Sequence, residues 1–123
     1  PVFLYAEDRF TKPTPFSPDI AVDISEVFDQ KIYALAAHQS QFFEWLPWIA
    51  DSNAKVPQDE TERLKWLAEK RKGNITKSVR NSLAKWYGEK AATIKNAEVF
   101  EICEYGRYPD DDEIRRLFPM LKK

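Results

Sequence analysis

Apolar and polar positions alternate in ways that divide the chain into short strand-like runs and longer helical repeats. Val2-Phe3-Leu4-Tyr5-Ala6 is apolar at both alternating positions, the pattern of a strand covered on both faces. Two arrangements suit it: a parallel sheet whose other strands lie outside this chain, or pairing with a strand expected near residue 100. Residues 7–19 form a connector, because Pro13, Pro15 and Pro18 hold the backbone toward extended forms. Ile20 to Ile24 reads as a short strand or extended segment. Phe28, Ile32, Leu35, Gln39, Phe42 and Leu46 then recur at the spacing of one helix face, apolar except at Gln39. Ser25 suits the N-cap of that helix, and Glu26 suits the positive end of its dipole. Pro47 predicts a bend or stop.

A polar loop spans about Asp51 to Pro57. Gln58 to Arg71 reads as a second helix, with Asp59 as cap and Glu62 at the capping-box position. Leu64 and Leu67 face one way, Trp66 lies on the adjoining flank, and Gly73-Asn74 forms the stop. A third helix runs from about Thr76 to Tyr87, apolar at Val79, Leu83, Trp86 and Tyr87, and closed by Gly88. Ala97 to Tyr105 reads as a strand, and Glu98, Glu101 and Glu104 argue against burial on both of its faces. Asp110 to Glu113 are consecutive acids without the spaced ligands and internal glycine of a calcium loop. They read better as a helix start, with Asp110 as cap and Ile114, Leu117 and Phe118 as the apolar face. Pro119 ends that helix, and Met120 to Lys123 form a tail.

Composition narrows the function classes. The 123 residues make one domain's worth of chain, and 43% hydrophobic and 14% aromatic content suffice for a core. A net charge of −1 argues against a nucleic-acid partner. Three glycines leave no Gly-rich phosphate loop. No apolar run approaches the ~20 residues of a membrane span, and no signal peptide is visible. The lone Cys103 excludes an internal disulfide and suits a reducing compartment, so a cytoplasmic location is expected. Cys103 is expected to be a packed residue rather than a nucleophile.

Charge is uneven along the chain. Residues 69–95 carry eight Lys/Arg against two acids, with Trp86 and Tyr87 among them. Such a run can hold phosphate backbones or acidic lipids, or can be an ordinary solvated face. The second is favoured, because residues 98–113 carry seven acids against Arg107 alone, and the two blocks can pair.

One flank of the first helix carries Lys31, Ala34, His38, Gln41 and Trp45, where donors and acceptors can face a cleft. His38 is the single histidine. On residue type alone it is either a structural helix residue or a pocket residue.

This stretch resembles the C-terminal signature of the GlcNAc-phosphatidylinositol de-N-acetylase family, the PIG-L or LmbE-like deacetylases. The matching positions are Asp23-Ile24-Ser25, then Lys31, Ala34, His38, Ser40 and Gln41, with Ala97-Glu98-Val99-Phe100 similar to a later run. The resemblance implies an α/β fold: the C-terminal fragment of a Rossmann-like three-layer deacetylase, with two to three strands and four helices in this chain. It implies residues 1–50 as the end of the catalytic domain and 51–123 as a helical subdomain with one strand. The family's metal motifs require several histidines, so they are absent here. No catalytic residue and no metal ligand is expected in this chain; zinc belongs to the full-length parent, and the fragment alone is expected to be inactive.

Substrate-pocket candidates are His38, Lys31, Gln41, Asp23 and Arg9. Asp8 and Arg9 follow the first strand, where a parallel sheet presents residues to its crevice, although solvated turn charges are the favoured reading there. The expected partners are the missing N-terminal part of the same protein, an N-acetylated sugar-type substrate in the parent, and a second copy in a homo-oligomer. The alternative function is a small non-catalytic interaction module.

Overall fold

The computed structural model describes residues 1–50, 55–73 and 75–121. The expected loop from Asp51 falls partly outside these residues, as do Asn74 of the expected helix stop and the Lys122-Lys123 end of the tail. The described residues form a mixed α/β protein with five helices and one three-stranded antiparallel sheet. They divide into two compact units, residues 1–25 with 73–121, and residues 26–72. The expected boundary at residues 50 and 51 falls within the second unit.

In the first unit, β1 (Leu4–Ala6) and β2 (Ile20–Asp23) flank β3 (Ala97–Ile102), giving the order β1-β3-β2. Tyr5 lies opposite Glu101, and Ala21 opposite Val99. The first strand therefore pairs with the strand near residue 100, antiparallel, and the parallel arrangement is corrected. Its double-sided burial is corrected too. An edge strand has one neighbour, so Phe3 and Tyr5 remain 49% and 44% exposed.

The core lies between this sheet and α4 (Lys77–Tyr87). Thr76 caps α4 by accepting the Val79 N–H at 3.3 Å. Gly88 stops it at φ +58°, a conformation that a Cβ would strain. Val79, Leu83, Trp86 and Tyr87 are buried with Ile20, Ala21 and Val99. Trp86 and Tyr87 are therefore core residues, and neither is a stacking platform for bases or lipid head groups. Arg80 donates to the Ala91 carbonyl and, at 3.0 Å, to that of Ile94, fastening the 3-10 segment Gly88–Thr93 to α4.

Asp110 caps α5 (Asp111–Leu117), accepting the Glu113 N–H at 2.8 Å. Ile114 is buried, and Phe118 packs against Phe100 with ring centroids 5.6 Å apart. Lys85 of the basic run pairs with Asp111 at 2.9 Å, so the two charge blocks do meet within the fold.

The second unit contains α1 (Phe28–Ala36), a π-helical segment (Ser40–Trp45), α2 (Leu46–Ile49) and α3 (Glu60–Arg71). Asp59 caps α3 through the Glu62 N–H at 3.0 Å, as its sequence predicts. α1 and α3 pack together, with Ile32 and Leu67 buried. The continuous helix expected to reach Leu46 is instead broken after Ala36. Ser25 does not cap it: α1 starts after Val27 with no side-chain cap, behind a 3-10 turn at Ser25–Val27.

Glu113 gives a pH test. Hydrogen bonds from Arg107, with Arg116 at 2.9 Å, hold its carboxyl down at about 2 from an ordinary 4.5, against a smaller upward pull from burial. The pair stabilises the folded state fully above the unfolded carboxyl's pKa, and that contribution is lost as pH falls through about 2. We expect stability to decline between pH 4.5 and 2 in denaturant titrations. Glu113→Gln should flatten that decline and leave the pH dependence above pH 6 unchanged.

Candidate functional site

The break after α1 determines where His38 stands. Its backbone N–H donates to the Leu35 carbonyl at 3.0 Å, a tightened last turn. Its own carbonyl then accepts the N–H groups of Gln41 at 3.0 Å and Phe42 at 3.1 Å, starting the π-helical segment. His38 thus sits at a joint between two helical segments, with its side chain exposed. Gln41 is exposed one turn further on, and Lys31 is half-buried on α1. Ala34 and Trp45 are also exposed, so the stripe read from the sequence is a solvent-facing flank of this unit.

The π-helical segment adds a groove to that flank. Its volume is about 690 Å³, and it is lined by Ser40, Gln41, Phe43, Glu44, Trp45 and Trp48. Phe43 is half-buried and held from the side of α3. Trp66 meets it at 6.3 Å between centroids, and the Arg63 guanidinium lies 5.5 Å from its ring centre. Trp45 and Trp48 are 50% and 67% exposed. Pro47 does not end the helical path: it sits in the first turn of α2, where its missing N–H costs least. Trp48 is therefore carried onward on helical backbone. Sequence reasoning singled out the Lys31–Trp45 flank but missed the groove, because a 3.6-residue period does not show a π-helical insertion. The Trp45–Trp48 spacing beside a proline was the available signal.

Asp23 and Arg9 belong to the first unit. Arg9 is exposed in the connector. Asp23 works as a pin at the end of β2. Its carboxylate accepts the Ser25 N–H at 3.0 Å and the Lys90 ammonium at 3.0 Å, while its own N–H donates to the Tyr87 hydroxyl at 3.0 Å. Burial raises its pKa, but the Ser25 hydrogen bonds and Lys90 outweigh that and hold it below the usual carboxylate range. Cys103 is buried, as expected, and a hydrogen bond with it pushes the Tyr5 hydroxyl up to about 12.

Among the described residues no group of three or more His, Cys, Asp or Glu side chains is placed to hold a metal ion. No helix among them is long and apolar enough to cross a membrane.

Fold and flank together define an α/β chain with an exposed, aromatic-lined helical face among its described residues. The family described as "Domain of unknown function (DUF2610)" matches residues 9–110, and the chain belongs to that family. A second likeness is to the probable N-acetyl-alpha-D-glucosaminyl L-malate deacetylase 2 of Bacillus cereus (strain ATCC 14579), with 46% identity over 50 residues. Those residues are 41% of this chain, which spans about a fifth (21%) of that relative's length. The match supports a relationship to LmbE-like deacetylases. No solved structure matches the chain.

The two kinds of candidate should separate on mutation. Asp23→Ala removes two accepted hydrogen bonds at a half-buried site and should cost about 1 kcal/mol in chemical denaturation. His38→Ala and Gln41→Ala, both at exposed positions, should stay within about 0.5 kcal/mol of the parent chain.

Proposed function

We propose that this chain is the C-terminal portion of a metal-dependent N-deacetylase acting on an N-acetylated amino sugar or a related amide. The observation that carries the reading is the 46% identity over 50 residues to a protein named as an N-acetylglucosaminyl-malate deacetylase. The flank with Lys31, His38 and Gln41 agrees with it, since these exposed or half-buried polar groups suit one wall of a substrate cleft better than a core. In this reading the wall orients substrate through hydrogen bonds, and His38 serves at the joint rather than as a metal ligand. Asp23 supports the end of β2, so its part is positional. The sheet belongs to a larger Rossmann-like α/β domain, and zinc, with the groups that activate water, belongs to the parent protein's remaining part. The chain then works in a reducing, cytoplasmic setting, with a second copy as a further partner.

A second reading, a non-catalytic interaction module, is favoured by the exposure of Trp45 and Trp48. The two separate on activity. The upstream-extended protein, loaded with zinc, should release acetate from N-acetylglucosaminides, and the 123-residue chain should release none. His38→Ala in the extended protein should lower kcat/KM by about 10- to 100-fold, equivalent to about 1.4–2.7 kcal/mol. Activity of the short chain alone would contradict the assignment of the chemistry to the parent, and inactivity of both proteins would favour the module.

A further inference from the structure

The groove beside the His38 flank has a composition that selects among ligands. Its floor, Phe43, is fixed by Trp66 and Arg63. Two of its lining residues, Trp45 and Trp48, stand three positions apart and so on one side of the helical path. At 50% and 67% exposure they leave broad indole faces in water. At the rim Ser40, Gln41 and Glu44 supply a hydroxyl, an amide and a carboxylate, all exposed. Surface aromatics set among polar groups that can each donate or accept mark a site for a ligand that is apolar on one face and hydrogen-bonding at its edge.

We propose that this groove is a saccharide platform: Trp48 and Trp45 stack on the C–H face of a pyranose ring, and Gln41, Glu44 and Ser40 bind its hydroxyls. The choice of a sugar rests in part on the deacetylase reading; the stacking face itself rests on the groove. Two other occupants fit less well. An apolar protein surface would bury the Gln41, Glu44 and Ser40 polar groups without partners, at a cost for each. An organic cation would find a single carboxylate, Glu44, and the Phe43 ring already holds the Arg63 guanidinium at 5.5 Å. The volume of about 690 Å³ has room for one or two sugar rings, and the open shape predicts weak binding, with Kd about 1 mM.

The test titrates the 123-residue chain with N,N′-diacetylchitobiose and, separately, with tetramethylammonium, reading saturation-transfer NMR and calorimetry. Saturable disaccharide binding is expected. Trp48→Ala should weaken it by about tenfold or more, Gln41→Ala by about threefold, and Trp48→Phe should retain most of it. Melting curves of each variant verify that the unit remains folded, and if Trp48→Ala does not, Trp45→Ala, at the second exposed indole, should weaken binding in its place, with unchanged affinity overturning the platform.

Absence of saturation, binding indifferent to Trp48, or tetramethylammonium binding tighter than the sugar would each overturn the platform. Failure here is distinct from failure of the deacetylase reading. Disaccharide binding by a chain whose extended form deacetylates nothing keeps the platform and removes that reading. An active extended protein whose KM is unmoved by Trp48→Ala keeps that reading and removes the platform.

Discussion

The first unit depends on how α4 closes the outer edge of β2. A sheet of three strands has two edges, and an open edge presents unpaired N–H and C=O groups. On the β2 side two neighbouring side chains of α4 supply partners. Trp86 donates its indole N–H to the Asp19 carbonyl at 2.9 Å, and the Tyr87 hydroxyl accepts the Asp23 N–H at 3.0 Å. Asp19 gathers the same corner from the other side. Its N–H donates to the Phe100 carbonyl at 3.0 Å, and its carboxylate accepts the Ile102 N–H at 2.8 Å. One residue thereby ties β2, β3 and α4 together. Burial of Ile20 and Ala21 on an edge strand follows, since a helix with two large aromatics covers what a fourth strand would otherwise cover.

Much of this was legible in the sequence. The caps at Asp59 and Asp110 follow from local rules, and each side chain accepts the N–H three residues ahead; Thr76, read as the first residue of its helix, is its cap instead. Gly88 as a stop follows from its freedom at positive φ. The acidic run at residues 110–113 is a helix start, as its spacing indicates. What was not legible depends on tertiary contacts. Nothing local marks Asp19 as the tie between elements, because its partners lie more than 60 residues away. Ser25 has the right chemistry for a cap, but the 3-10 turn Ser25–Val27 separates it from the first turn of α1, and its own N–H donates to Asp23. The break at His38 has no proline or glycine to announce it.

For the candidate site, the flank was legible as a helical stripe, and His38, Gln41 and Trp45 are exposed on it. The groove beyond it was not, since it arises where helical turns widen and carry Trp45 and Trp48 outward. Segments of this kind recur at functional sites because an inserted residue re-aims the side chains that follow. Asp23 illustrates the opposite case. Its motif position suggests a pocket role, but its bonds to Ser25 and Lys90 and its backbone bond to Tyr87 make it a structural pin.

Whether this chain furnishes a cleft wall or the chemistry itself is read most directly from metal stoichiometry. Equilibrium dialysis against micromolar zinc, followed by elemental analysis, would be run on the 123-residue chain and on the upstream-extended protein. A wall-forming chain should retain well below one zinc per molecule, and the extended protein about one. Stoichiometric, tightly held zinc on the short chain would contradict the account, because it would require a ligand set that the described residues do not form.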